Sequence, residues 1–469
     1  MTRFLCQDAA INEGVRRPQF DRQALKPGIV HIGLGAFNRA HQAVFTQRAL
    51  ETAFGPWGII AVNLRSPEPV EALNAQDGLY SITVRSEAGD QSEIIGATLE
   101  GICAATDGPR VLDSLAHPDI RIVTMTVSEK AYGLDPVTGG LDLAHPAVAA
   151  DLQTPETPSG VLGFIVEGLS RRRQAGLKPF TVLCCDNLPS NGTVIRRLVL
   201  DMAQRRDPAL AAWVAEHGAF PCSMVDRIVP AATGETRARA VRLLGVEDRL
   251  ALDTEPFIQW VIEDRFVDGR PQWEAGGAIF ADNVEPYEKM KLRLLNGTHT
   301  LLAHLGILHG LDYIRETMAD PALAAKARAH MEEVVETLDP VPGIDLSAYI
   351  DELLARFANP TIDHRTLQIS LDTTQKLPQR LLSPAMDALS RGGDAAATAY
   401  AVGVWMAAVR RRGDCDDPRR KEVLDAAAAM DDRDPSASFF AIPGLFPPQL
   451  IAARQWRDRV NAAVTTFGG

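Results

Sequence analysis

At 469 residues the chain exceeds what one hydrophobic core usually serves, so two domains are expected. Its 46% apolar and 23% charged residues are the make-up of a globular protein, and no run approaches the roughly 18 apolar residues of a membrane span. A net charge of −12 argues against nucleic acid as a partner, and the opening Met1-Thr-Arg-Phe-Leu-Cys-Gln-Asp lacks the apolar stretch of a secretory signal, so a cytoplasmic location is expected.

In chain order, Ile29–Ile32 is a short apolar run that ends in Gly33-Leu34-Gly35, and a helix is predicted through Ala43 to Leu50. Gly58–Asn63 reads as a second strand, and Tyr80–Val84 alternates as a half-buried strand does. Ile120–Val127 and Phe180–Cys185 are further strands, with a helix between them over Gly160–Gly176. Strands alternating with helices predict an α/β domain with a parallel, doubly wound sheet. From about Lys291 the pattern becomes helical, with candidates at Ala322–Leu338, Leu346–Phe357, Ala395–Arg412 and Pro448–Phe467. The predicted domains are 1–287, Rossmann-like, and 288–469, mainly α-helical.

The run Gly33-Leu34-Gly35-Ala36-Phe37-Asn38 gives G-x-G-x-x-N between a strand and a helix. Glycines there permit a tight turn and close approach of backbone to a pyrophosphate, although the third glycine of the dinucleotide fingerprint is missing. Gly33, Gly35, Ala36, Phe37 and Asn38 are the expected cofactor contacts, with Asn63 and Arg65 at the end of the second strand. No acid stands at that strand tip for a ribose hydroxyl, and Glu68 comes a few residues late. Arg65 faces a 2′-phosphate or stacks beside adenine, so NAD is expected with NADP left open.

Lys291-Leu-Arg-Leu-Leu-Asn296-Gly-Thr-His299 puts an amine, a carboxamide and an imidazole into an apolar segment. On an α-helix, Asn296 falls about 140° and His299 about 80° from Lys291, among leucines. Burying an unpartnered polar group costs roughly 1–3 kcal/mol, so such a face is expected to be used. Oxidising an alcohol needs a base for the hydroxyl proton and donors for the oxygen that gains charge. A free lysine has a pKa of about 10.4, and bringing it near neutrality takes roughly 4 kcal/mol; apolar surroundings and a positive nicotinamide both act that way. Asn187, after a predicted strand, is a second candidate donor, so that cofactor comes from the first half of the chain and base from the second. Each residue also has an ordinary structural reading: a snorkelling lysine, a bonded core histidine, a strand-ending turn. The six cysteines and ten histidines show no zinc-site spacing, so no metal is expected.

Together these segments resemble the mannitol dehydrogenase family, the polyol-specific long-chain dehydrogenases. The likeness runs through Gly33–Gln42, Cys185-Asp-Asn-Leu-Pro189 with Asn191-Gly192, Phe220–Ala232 and the Lys-x₄-Asn-x₂-His signature at Lys291–His299. Within the family it is nearest to the fructuronate reductases (D-mannonate oxidoreductases), on Phe220–Ala232, Gln259–Asp264, His364–Ile369 and Gln375–Arg380. The resemblance implies metal-independent, nicotinamide-dependent oxidation of a secondary alcohol. It implies Lys291 as general acid/base, Asn187 and Asn296 around the reacting oxygen, and His299 as a positioning group. Asp226 is implied near the substrate, and Glu129 and Glu288 as guides for proton exit. Mannitol-oxidising members carry an arginine where this chain has Gln368, which shifts the expected substrate from D-mannitol towards D-mannonate/D-fructuronate. His364, Arg365 and Lys376 are then the candidate holders of a sugar-acid carboxylate. The family leaves monomer and homodimer open, with a small sugar acid or polyol as the partner. A glycine-loop methyltransferase has no use for a buried lysine beside two carboxamides, and a dinucleotide-sensing regulator lacks a basic recognition helix.

Overall fold

Strands β1 (Pro27–Ile32) and β2 (Gly58–Asn63) pair in parallel and begin a sheet that is apolar on both sides. The chain then leaves that sheet. β3 (Tyr80–Ser86) and β4 (Gly89–Ile95) form an antiparallel hairpin before β5 (Thr98–Cys103) returns beside β2. β6 (Ile122–Met125) and β7 (Thr181–Cys184) complete five parallel strands in the order β5-β2-β1-β6-β7. Val30, Ile32, Val62, Val123 and Met125 enter one core, and Ile29, Ile59, Ala61, Ile122 and Leu183 enter another. Burial on both faces explains why these strands read as unbroken apolar runs. The structure is a computed structural model that describes residues 4–135 and 138–467, with only the backbone described at Glu129.

The expected strands are present, shorter by one or two residues at several ends, and the parallel sheet is as predicted. The strand at Tyr80 belongs elsewhere. It pairs with β4 and with β9 (Leu252–Thr254), which follows β8 (Ser223–Asp226) in the chain. Ser86 pairs with Gly89, so a two-residue turn joins β3 to β4, which antiparallel neighbours permit and parallel ones do not. A third sheet holds β8, β10 (Gln259–Glu263) and β11 (Ile279–Ala281). Trp260 and Trp273 meet there with ring centroids 4.6 Å apart. The predicted helix after the glycines is two, Ala36–Ala40 and Gln42–Thr52, broken at His41, whose Nε2–H donates to the Gln259 carbonyl at 2.8 Å.

This first unit spans Met1–Glu285, and the second, Pro286–Gly469, is built of helices. Its principal elements are Thr298–His309, Pro321–Val335, Leu346–Ala358, Ala396–Arg412 and Arg454–Thr466. Their core gathers Leu301, Leu305, Val402, Trp405, Phe439 and Trp456. The predicted C-terminal helix is interrupted at Ala453. All six cysteines are free thiols, and burial pushes those of Cys184 and Cys185 upward, away from the thiolate.

The ends of the parallel strands are closed by side chains. Asn191, fully buried, donates to the carbonyls of Cys184 and Ser223 and accepts from the Ser223 N–H at 2.9 Å. It thereby joins the end of β7 to the start of β8. Asn191→Ala is expected to lower stability by roughly 1–3 kcal/mol, because the backbone groups it leaves are buried without partners. Urea denaturation measures this, and an unchanged midpoint would contradict the role.

Candidate functional site

In the first unit the polar residues gather where β1, β2, β6 and β7 end. Gly33 has φ +109, a region that favours glycine, and a Cβ there would stand 2.0 Å from the Thr126 carbonyl oxygen. The turn is held from below by His31. Its Nε2–H donates to the Gly33 carbonyl at 2.9 Å and its Nδ1 accepts from the Thr124 hydroxyl at 2.7 Å. Burial pushes His31 down to about 3, so the ring is neutral and can make both bonds.

A cleft of about 500 Å³ opens above this turn, lined by Gly33, Gly35, Asn63, Arg65 and Ser128 among others. A second, of about 650 Å³ and lined by Ala104, Pro146 and Phe164, shares Leu64 and Arg65 with the first. Clefts of this size suit a nucleotide ligand. The turn after β2 is fixed by the Asn63 amide, which donates to the Ser66 carbonyl at 2.7 Å. Ala36, Phe37 and Asn38 are not among the lining residues. Phe37 stacks on His41 at 4.9 Å, and Asn38 is buried with its amide 3.5 Å from Gln42, because the chain turns into the core once past Gly35.

Asn187 lies exposed in the segment between β7 and the helix Asn191–Arg206. Its neighbour Asp186 accepts from the Val127 N–H at 3.0 Å and the Tyr132 hydroxyl at 2.6 Å, tying this segment to the one after β6. Burial, then Cys184 and Asp186, push Tyr132 well above its ordinary range, so the hydroxyl keeps its proton and donates. Glu129 opens the one-turn helix Glu129–Tyr132, and its side chain lies outside the described residues. Asp226, at the end of β8, is buried opposite Gln259. The adjacent Arg227 donates to the Glu255 carbonyl.

In the second unit Lys291, Asn296 and His299 are all buried, on one continuous helical rod. The rod is not α-helical throughout, as the sequence reading assumed. Lys291–Gly297 is a π-helix between α-helical segments Glu285–Met290 and Thr298–His309. In α geometry Lys291 and Asn296 diverge by about 140°. The i→i+5 pattern of a π-helix instead carries residues five apart to the same side. A second π segment, Pro378–Leu382, packs against the first, and a Cβ on Gly297 would stand 2.8 Å from the Arg380 carbonyl. The Arg380 guanidinium donates to Thr300 Oγ1 at 3.1 Å, and that hydroxyl donates to the Asn296 carbonyl at 2.9 Å. Glu288 is half-buried one turn before Lys291.

His299 packs against Phe357 at 4.9 Å and edge-on against His364 at 4.6 Å. Neither His299 Nε2 nor His364 Nδ1 has a hydrogen-bond partner among the described residues. Burial pushes His299 well below its ordinary value, and the neighbouring His364, Arg380, Arg356 and Lys376 add to it. His364 is pushed down to about 4 by burial and then by Lys376. The structure thus brings His364 to His299 but not Arg365, which is exposed with its guanidinium over the Tyr313 ring at 5.4 Å. Lys376 donates to the carbonyls of Ile369 and Leu371, so its ammonium is bonded to the backbone. Gln368 is exposed. The sequence reading missed Arg356 and Arg380; the Gln375–Arg380 stretch was the available signal for Arg380. Among the described residues no group of three or more His, Cys, Asp or Glu can hold a metal, and no helix is long and apolar enough to cross a membrane.

Comparison with known proteins accords with this geometry. The family model of the mannitol dehydrogenase Rossmann domain matches residues 27–275, and that of the mannitol dehydrogenase C-terminal domain matches residues 283–460. An uncharacterized oxidoreductase, YeiQ, of Escherichia coli (strain K12) is 46% identical over 96% of this chain and 89% of its own. D-Mannonate oxidoreductase of the same organism is 43% identical over 96% of this chain and 95% of its own. The solved mannitol 2-dehydrogenase of Pseudomonas fluorescens, in ternary complex with NAD and D-mannitol, superposes with a TM-score of 0.90 at 34% identity, over 99% of this chain and 96% of that one.

The buried histidines make acid sensitivity predictable. Burial holds His31 at about 3 and His304 and His330 at about 4, against an ordinary 6.5. The unfolded chain therefore binds more protons than the folded one below about pH 6.5, and stability falls as pH falls through the window down to about 4. Denaturation at about pH 7 and about pH 5 is expected to differ by at least roughly 2 kcal/mol. Equal stabilities would show these rings to be protonated in the fold.

Proposed function

Since the chain belongs to the mannitol dehydrogenase family and is an oxidoreductase of that type, we propose that it interconverts D-mannonate and D-fructuronate with NAD(H). The observation that supports this reading is the grouping of the Arg380, Arg356 and Lys376 cations near enough to His299 to depress it, beside His364, whose ring lies 4.6 Å from it. A sugar acid carries a carboxylate that a neutral polyol lacks, and guanidinium forks suit it.

When bound, the nicotinamide supplies the acceptor for the hydride that leaves the carbinol carbon. Lys291, uncharged, takes the proton from the substrate hydroxyl at Nζ as the carbonyl forms, and returns it in the reverse direction. The carboxamides of Asn296 and Asn187 donate to the oxygen while it carries charge, without titrating themselves. His299 holds a substrate hydroxyl through Nε2, and Asp226 lies near the substrate. Arg380 and Arg356 take the carboxylate, with Lys376 adding positive potential and the neutral His364 ring beside His299; Arg365, over Tyr313, is set aside from that role. Glu288, one turn before Lys291, leads the proton outward from it. In the first unit Gly33 and Gly35 admit the pyrophosphate, beside Asn63 and Arg65. Proton transfer in this reading needs no metal, because Lys291 performs it.

Turnover of mannonate, mannitol, arabinitol and sorbitol tests the substrate, and mannitol outpacing mannonate would overturn it. Lys291→Ala is expected to lower kcat by about 10²–10⁴ while nucleotide binding persists; near-normal kcat would remove Lys291 as the base. Asn296→Ala is expected to lose on the order of 10²–10³ in rate. Arg380→Gln is expected to raise KM for mannonate far more than KM for any polyol the enzyme turns over. Equal effects on both would remove Arg380 from carboxylate binding.

A further inference from the structure

We propose that Arg293 and Thr298 are positioning residues that fasten the π segment in register, and so keep Lys291 and Asn296 on one side of the rod. The inference rests on the reading of Lys291 as the base and Asn296 as a donor. Arg293 is buried two residues past Lys291, between Leu292 and Leu294. One nitrogen of its guanidinium donates to the Thr337 carbonyl at 3.1 Å and to the Thr337 hydroxyl oxygen at 2.8 Å. Another donates to the Asp387 carboxylate at 2.6 Å. Thr298, where the rod returns to α winding, is also buried, and its hydroxyl bonds His330 Nδ1 at 3.0 Å. His330 lies in the helix Pro321–Val335, and Thr337 follows two residues after that helix ends. Arg293 and Thr298 therefore fasten to the same neighbouring helix, which approaches so closely that a Cβ on Gly297 would stand 3.1 Å from His330 Cε1.

Spacing ties this fastening to the chemistry. Arg293 and Thr298 are five residues apart, as are Lys291 and Asn296. In α winding residues five apart diverge by about 140°, and the two could not both meet one helix. The i→i+5 pattern brings each pair to a common side. One pair thus holds the rod and the other faces the reaction, and a single winding satisfies both. Were the surplus residue of the π segment to slip out from between Arg293 and Thr298, the two would turn apart by about 100° and one set of bonds would break. Burial alone does not call for either polar group, since leucine or valine fills an apolar site without desolvating a charge. The best-attested use of a buried ionic group is to fix a register.

Steady-state kinetics of the full-length protein test this, on whichever of mannonate and mannitol the wild type turns over, with kcat expressed per NADH-binding site so that unfolded protein is not counted. Arg293→Ala is expected to lower kcat about 10²-fold while KM and NADH affinity change less than about fivefold, because misaimed groups cost rate more than binding. Thr298→Val is expected to lose about tenfold, and Asp387→Asn, at a half-exposed position that tolerates the change, about threefold. Arg293→Lys, which keeps the charge but loses the fork, is expected to fall between Arg293→Ala and the wild type. The double variant Arg293→Ala/Thr298→Val is expected to lose no more than Arg293→Ala alone, since one broken fastening already frees the register. Lowered melting temperatures with kcat within about twofold of wild type in Thr298→Val and Asp387→Asn overturn the proposal, because that is the signature of a purely structural role. Losses that multiply in the double variant also overturn it. Lys291→Ala, assayed alongside, separates the two readings: near-normal kcat there overturns the base itself, whereas a large loss there with none in the fastening variants overturns the positioning role alone.

Discussion

Backbone groups left over where a regular ladder stops must find partners, and both units depend on how they do. A parallel sheet ends with unpaired N–H and C=O groups along one edge, and here buried side chains close that edge. His31 bonds the Gly33 carbonyl, Asp186 the Val127 N–H, and Asn191 the groups of Cys184 and Ser223. None of these three side chains needs to meet substrate, yet together they set the shape of the loops from which Gly33 and Asn187 project. The second unit meets the same constraint at its π segments, where the Thr300 hydroxyl and the Arg380 guanidinium are bonded around the Asn296 carbonyl. An unmade buried hydrogen bond costs more than a made one contributes, so these contacts determine local geometry more than they add stability.

Electrostatics in the helical unit follows from burial among basic groups. Surrounded by Arg356, Arg380, Lys376 and His364, the His299 ring stays neutral at physiological pH. A neutral imidazole can both donate and accept, which suits the hydroxyls of a sugar chain; an imidazolium only donates.

Much of this was legible from the residues. Apolar runs over β1, β2, β6 and β7 are long and bounded by glycine or polar turns, so strand identity and parallel pairing followed. The Tyr80 strand was recognised as a strand but not as the start of a separate hairpin, since alternation says which face is wet and not which strand is the neighbour. Lys291, Asn296 and His299 stood out because polar groups in an apolar segment are rare. Their true relation was hidden, because nothing in a string of residues distinguishes a π turn from an α turn. Arg356 and Arg380 were hidden for another reason. They reach His299 through tertiary packing across at least 57 residues of chain, and a lone arginine on a helix usually belongs to the solvated surface.

A π segment within a helix holds one residue more than the α-helix of the same length would. At Lys291–Gly297 that surplus residue turns the downstream helix, with His299, by about 100° relative to Lys291. The relative orientation of the Lys291 and His299 side chains is therefore a matter of chain length as well as of residue type. Deletion of a single residue would keep Lys291 and His299 and still turn their side chains apart.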